Sequence, residues 1–142
     1  MARVYERRED KLLKEFLQKY FPDWLTWKRV RLGPVPKPEE YKWYQVVRRW
    51  ADAVVYNGEK VIIIEAKIRA EPGAISQLLL YDKLFPKTPE FRLLKDKPRE
   101  LLLLVGFPDP EVDELAKEHG IKVAVFCPKW LKEWWIKKIR GE

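Results

Sequence analysis

The stretch Trp50-Ala51-Asp52-Ala53-Val54-Val55-Tyr56-Asn57-Gly58-Glu59-Lys60-Val61-Ile62-Ile63-Ile64-Glu65-Ala66-Lys67 decides the fold. Two apolar, β-branched runs flank Asn57-Gly58. Asn-Gly supplies the positive φ angles that a tight type I′ turn demands, so the segment reads as a β-hairpin. With Asn57 and Gly58 alone in the loop, Tyr56 pairs with Glu59 and Asp52 stands opposite Ile63. Side chains alternate across a sheet, which sends Asp52, Ile63, Glu65 and Lys67 to one face and Ala66 to the other. Two carboxylates and a lysine at the far end of a hairpin are costly to bury and unnecessary for folding. They need a functional reason.

A hard divalent cation such as Mg²⁺ takes oxygen ligands and keeps several waters. Asp52 and Glu65 each offer a carboxylate oxygen, and the backbone carbonyl of Ala66 offers a third ligand. A cation held in this way polarises a phosphoryl oxygen and acidifies a bound water. Lys67, on the same face, orients that water or offsets charge growing on the phosphate. The pattern suits cutting a phosphodiester.

Outward from the hairpin, residues 5–20 read as an amphipathic helix with Leu12, Leu13, Phe16, Leu17 and Tyr20 in its apolar stripe, ended by Phe21-Pro22-Asp23. Trp24 to Leu32 reads as a strand, and Gly33-Pro34-Val35-Pro36-Lys37-Pro38 as a stiff loop. Tyr41 to Tyr56 is a long strand or a strand with an irregular lead-in, and Glu59 to Ile68 is its partner. The unbroken Val61–Ile64 run implies burial on both faces and hence a central strand. Pro72-Gly73 precedes a helix from about Ala74 to Phe85, stopped by Pro86. Leu101 to Val105 is a short apolar strand. Asp109 caps a helix that has Pro110 at its first position and Gly120 past its end. Ile121 to Phe126 forms a last strand and Pro128 to Ile139 a last helix. The order is helix, three strands, helix, strand, helix, strand, helix, in one α/β domain spanning residues 1–142, with no internal repeat.

The chain has 142 residues, enough for a real core without staples. A formal charge of +7 and a pI near 9.4 suggest a polyanionic partner, nucleic acid ahead of an anionic membrane. Cys127 is the only cysteine, which excludes a disulfide framework and an iron–sulfur cluster. No apolar run reaches membrane-spanning length, and the first residues lack the hydrophobic region of a signal peptide. A cytoplasmic or otherwise intracellular setting is expected, with no membrane partner. Lys, Arg and Glu abound beside one Asn, one Ser and eleven prolines, a profile resembling hyperthermophile proteins and pointing to a thermophilic archaeon, bacterium or one of their viruses.

Asp52 followed by Glu65-Ala66-Lys67 on the next strand resembles the PD-(D/E)xK nuclease superfamily. Asp52 matches the first acid, with Ala51 where the motif's proline would stand, and Glu65-Ala66-Lys67 matches Glu-x-Lys. The resemblance implies a restriction-endonuclease-like core of helix, three-stranded antiparallel meander, helix and strand. That core covers residue 5 to about 105, extended here by a helix, a strand and a C-terminal helix. Gln77-Leu78-Leu79-Leu80-Tyr81 resembles the Gln-x-x-x-Tyr signature of RecB-type nucleases, and the spacing puts both residues on one helix face. By that likeness Gln77 positions the water or the phosphate and Tyr81 meets nucleic acid. The plainer reading is a polar residue near a helix start and a half-buried core tyrosine. CRISPR-associated RecB-like exonucleases carry cluster-binding cysteines that this chain lacks. Archaeal Holliday-junction resolvases, of the same superfamily, complete their metal site with a first-helix glutamate. Glu9 is its counterpart here, with Glu6 and Glu15 behind it, although helix glutamates are usually just solvated.

The resemblance implies a deoxyribonuclease dependent on Mg²⁺ or Mn²⁺. Two alternatives are a catalytically inactive nuclease-fold module, DNA-binding or structural, and a dimeric junction-specific resolvase. Arg29, Arg31, Lys42, Arg48 and Arg49 flank the site in sequence and suit contacts to a DNA backbone. Glu39 and Glu40 fall in the proline-rich loop, where facing solvent is the plain reading and an extra metal ligand the weaker one. Seven tryptophans are unusual. For Trp130, Trp134 and Trp135 on the last helix, core packing is the first account, a homodimer interface the second and base stacking the third. Lys132, Lys137, Lys138 and Arg140 on that helix could touch phosphates or simply be solvated. His119 sits where a helix dipole contact suffices, and no catalytic role is assigned to it.

Overall fold

The computed structural model describes residues 2–34 and 49–141, with side chains over 7–34 and 50–141. Most of the proline-rich loop, the lead-in from Tyr41, and Glu39, Glu40, Lys42 and Arg48 lie outside the described residues, as do the side chains of Glu6 and Arg49.

The hairpin forms with a different turn. Asn57 turns its side chain back on the chain, and its Oδ1 accepts from the backbone N–H groups of Glu59 and Lys60, each at 2.9 Å. Such Asx geometry competes with the type I′ turn by offering the backbone a local acceptor. Tyr56 therefore faces Val61 rather than Glu59, and Val54 rather than Asp52 faces Ile63. The register moves by two residues, so the paired side chains of residues 53–56 and 61–64 keep the face that alternation assigned to them.

Helix α1 (Ala2–Tyr20) buries Leu12, Leu13, Phe16 and Leu17; Tyr20, read as part of that stripe, is instead 51% exposed. Strands β1 (Leu25–Leu32), β2 (Arg49–Tyr56) and β3 (Val61–Arg69) make an antiparallel meander. Helix α2 (Pro72–Leu84) starts earlier than expected because Pro72 is accommodated in the first turn, where no N–H is missed. Two short 3₁₀ turns, Phe85–Lys87 and Pro89–Phe91, follow it. Strand β4 (Arg99–Phe107) runs parallel to β3 and is longer than its apolar centre. Helix α3 (Pro110–Glu118) opens on Asp109, whose side chain accepts from the N–H groups of Glu111 and Val112. Gly120, at φ 72°, turns the chain into β5 (Ile121–Val125), which is parallel to β4, and α4 (Lys129–Ile139) closes the fold.

The strands lie in the order β1-β2-β3-β4-β5. Val54, Val61, Ile63, Leu103 and Val105 pack under α2 and α3, while Ala53, Val55, Ile62, Ile64, Ile68 and Leu104 pack under α1 and α4. Helices thus cover both faces, which explains the continuous apolar runs of β3 and β4. The molecule is α/β, and its helix, meander, helix and parallel strand have the order and pairing of a restriction-endonuclease-like core. Among the described residues no helix is long and apolar enough to cross a membrane.

Candidate functional site

Strand β2 leaves β3 just where the site begins. Their pairing runs from Tyr56–Val61 to Ala53–Ile64 and goes no further. Beyond it, Val54 and Ala51 pack in the same core layer, although they stand an odd number of residues apart. The alternation has therefore broken around Asp52. Across β1 the irregularity repeats: Lys28 pairs with Ala53 and Val30 with Ala51, while Arg29, at φ 52°, has no pairing with Asp52. Arg29 is the only non-glycine among the described residues with a positive φ. A long side chain seldom takes that conformation.

The gap exposes N–H groups of β3 that a neighbouring strand would have paired, and carboxylates take over. Asp52 Oδ2 accepts from the Ala66 N–H at 2.8 Å. Glu9 Oε2, reaching in from α1, accepts from the Ile68 N–H at 3.2 Å. Asp52 thus points along the sheet toward β3, where the Glu65 side chain rises beside it.

These groups line a cleft of about 640 Å³ formed by Arg7, Glu9, Asp10, Leu13, Arg29, Trp50, Ala51, Asp52, Glu65 and Lys67. Glu65 is 4% exposed, and its Oε2 is buried with no hydrogen-bond partner. Burial, and then the neighbouring Asp52 carboxyl, push the Glu65 pKa up to about 9. Tyr81 and Lys67 pull it the other way. Burial likewise lifts Glu9 to about 7, against the pull of Lys67 and of its bond to Ile68. Four acids, two arginines and one lysine share this cleft, and two of the acids, Glu9 and Glu65, hold their protons unusually long.

Four residues singled out from the sequence, Glu9, Asp52, Glu65 and Lys67, meet in this cleft, and Arg29 lines it. Others fall elsewhere. Gln77 is exposed on α2 and is not among the lining residues. Tyr81, assigned to nucleic acid, is 3% exposed and cannot meet a polymer from there. Its ring packs in the core because α2 lies flat on the sheet, and its hydroxyl donates to the Trp50 carbonyl at 2.8 Å. Arg31 lies over the Trp50 ring at 5.2 Å, beside the cleft rather than in its lining. The backbone of Ala66 carries the Asp52 contact, while its side chain is buried under α1. Glu15 is engaged by the Trp130 indole N–H at 2.6 Å, and among the described α1 glutamates only Glu9 lines the cleft. His119 is exposed at the end of α3.

Arg7, Asp10 and Trp50 were not foreseen in this site. Asp10 pairs with Lys28 at 2.9 Å and so ties α1 to β1 at the cleft edge. Trp50 was within reach of the sequence reading, since it precedes Asp52 by two positions on an edge of the apolar run. Arg7 and Asp10 carried no such signal.

Can these residues hold a divalent cation? Glu65 Oε2 is an orphaned buried acceptor beside a second carboxylate, which is the surrounding a hard cation relieves. Among the described residues, no three His, Cys, Asp or Glu side chains are already arranged as a cation cage. The donor set therefore fits a cation held by Asp52 and Glu65 and completed by backbone oxygen and water.

Compared with protein-family models, with curated proteins and with solved structures, the chain shows no significant match.

Proposed function

We propose that this protein is a deoxyribonuclease that hydrolyses phosphodiester bonds with Mg²⁺ or Mn²⁺. The observation that carries the reading is the buried, partnerless Glu65 oxygen held beside Asp52, with Lys67 in the same cleft. A cation bound there supplies a Lewis acid for the phosphoryl oxygen and lowers the pKa of a coordinated water. Asp52 and Glu65 hold it, with the Ala66 carbonyl as a backbone ligand. Lys67 faces the scissile phosphate and offsets the charge that grows on it. Glu9 keeps the far side of the cleft acidic and serves as a further ligand or proton acceptor. Arg29 positions the DNA backbone at the mouth, with Arg31, Arg48 and Arg49 as further candidates. Gln77 remains a candidate for the water or the phosphate only with a substrate that extends to α2.

Plasmid, single-stranded and branched oligonucleotides incubated with Mg²⁺, Mn²⁺ or EDTA test the proposal. Cutting is expected with either cation and none with EDTA. Asp52→Asn, Glu65→Gln and Lys67→Ala should each lower the rate by about 100-fold or more. Undiminished cutting by Asp52→Asn would remove the assigned site. A single observation favours the alternative of a non-catalytic nuclease-fold module, namely that no three acids among the described residues stand ready as a cation cage. Failure to cut any of the substrates with either cation, while DNA is still bound, selects that alternative.

A further inference from the structure

Tyr81 fills a place in the core that a phenylalanine would fill as well, so its hydroxyl is the part that asks for a reason. Helix α2 turns Ala74, Ile75, Leu78 and Tyr81 toward the sheet as one buried stripe. The ring packs in the same layer as Ala51, Val54 and Ile63. A hydroxyl taken out of water costs free energy unless it finds partners, and an apolar stripe gains nothing by carrying one. Two partners of this hydroxyl belong to the acidic cleft. It donates to the Trp50 carbonyl at 2.8 Å, and it hydrogen-bonds the Glu65 carboxyl.

Those two partners stand on different strands, at the point where the strands part. The last β2–β3 pair is Ala53–Ile64, and Trp50 of β2 and Glu65 of β3 both lie beyond it. Ladder bonds no longer fix the spacing there, and side chains do so instead. Asp52 reaches the Ala66 N–H from β2, and Tyr81 joins Trp50 to Glu65 from the α2 side. A hydroxyl carries one proton and two lone pairs, so a single group can serve both strands. Trp50, Asp52 and Glu65 line the cleft, whereas Tyr81 is 3% exposed and is absent from the lining. Glu65 Oε2 has no partner, so the Tyr81 contact falls on the other carboxyl oxygen. One oxygen is held from behind, and the other is left for a cation.

We propose that Tyr81 is a positioning residue of this site: its hydroxyl bridges the parted strands, sets the Glu65 carboxyl beside Asp52 and never touches the polymer. Outer contacts of this kind orient a metal ligand without joining the metal. The inference rests on the nuclease reading only for what the oriented carboxyl does. The bridge itself belongs to the metal-free chain.

Tyr81→Phe keeps the ring and removes the bridge. Amide hydrogen exchange of the metal-free chain, followed residue by residue by NMR, reads the fork directly. Exchange at Ala66 is expected to quicken about tenfold, the effect of losing one hydrogen bond, while the amides of residues 53–56 and 61–64 keep their rates. Tyr56→Phe, which takes a hydroxyl from the Gly58 carbonyl at the hairpin, should leave the Ala66 rate unchanged. Mn²⁺ titrated by calorimetry should bind Tyr81→Phe about 10-fold to 100-fold more weakly than the parent chain. Affinity for a labelled DNA duplex in EDTA should match the parent's. With Mn²⁺ saturating, the loss of cutting should fall on kcat and leave KM alone. An unaltered Ala66 rate, a quickening spread evenly over the sheet, or weakened DNA binding overturns the inference. So does a parent-like Mn²⁺ affinity. If the parent chain neither binds Mn²⁺ nor cuts DNA, the nuclease reading fails, and the exchange rates alone decide the bridge.

Discussion

Glu65 is an acid that folding alone would not choose. Its carboxyl is buried beside another carboxyl and releases its proton only near pH 9, against about 4.5 for an ordinary glutamate. Between those values the folded chain holds a proton that the unfolded chain has lost, so stability falls as pH rises. Glu9, raised to about 7, adds to the fall below neutrality. Each pH unit in which one such proton is held only by the folded state costs at most about 1.4 kcal/mol. We predict that urea denaturation in metal-free buffer gives a chain that weakens steadily from pH 5 to 9. Glu65→Gln, which has no proton to lose, should flatten the part above pH 7 and be the more stable protein at pH 8.5. Parallel curves for the two would deny that Glu65 ionises late. Arg29 holds a different kind of strain, a left-handed backbone at φ 52° in a strand beside Asp52. Strain of this sort persists where the surroundings impose it, often at working sites. Arg29→Gly should leave stability within about 1 kcal/mol, because relief of the αL penalty offsets the flexibility that glycine adds to the unfolded chain. It should still weaken DNA binding. A large loss of stability would mean that the side chain, not the backbone, matters to the fold.

At the scale of elements, the separation of β2 from β3 makes the site. A strand that stayed paired would satisfy the N–H groups of Ala66 and Ile68 with carbonyls; here Asp52 and Glu9 do it with carboxylates. The acids are therefore structural acceptors as well as candidate ligands. Asp52→Asn keeps an oxygen for Ala66, whereas Asp52→Ala strands a buried donor. The alanine variant should be less stable than the asparagine variant by about 1–3 kcal/mol, measured by chemical denaturation. Equal stabilities would show that water replaces the carboxylate at no cost. Helix α4 depends on another local device. A Cβ added at Gly106 of β4 would come within 2.4 Å of Leu131 Cδ2 and 3.0 Å of the Ile68 carbonyl. Leu131 is the fully buried residue by which α4 sits on the sheet. Gly106→Val should push the helix outward and cost about 1–3 kcal/mol, measured by chemical denaturation.

For the whole molecule, cation binding and stability are linked. A ligand that binds only the folded chain raises its stability, by about 2.7 kcal/mol at a hundredfold excess over Kd. Mn²⁺ should therefore raise Tm, displace the proton held at Glu65 as it binds, and lose both effects on addition of EDTA. In Asp52→Asn the rise should vanish. A Tm indifferent to Mn²⁺ in the parent chain would count against a cation in this cleft. Charge is not spread evenly over the described residues: the cleft gathers Glu9, Asp10, Asp52 and Glu65 in one place, while Arg7, Arg8 and Lys11 stand close together on α1.

The order of elements, the hairpin and the side on which Glu65 and Lys67 project were legible because each depends on local chemistry, whereas the break in alternation that turns Asp52 toward β3 was not. Apolar periodicity, β-branching, Asn57-Gly58, Asp109 and Gly120 act within a few residues of themselves, and a register error of two leaves the faces of the paired residues unchanged. Glu9 could be named from the sequence as one of several helix acids, but only packing of α1 across the β2–β3 gap singled it out from Glu15. The burial of Tyr81, the exposure of Gln77 and the place of Arg7 in the cleft wall depend on where whole elements come to rest. Those placements follow from burying two apolar layers on opposite faces of one sheet, a requirement that no short stretch of chain expresses on its own.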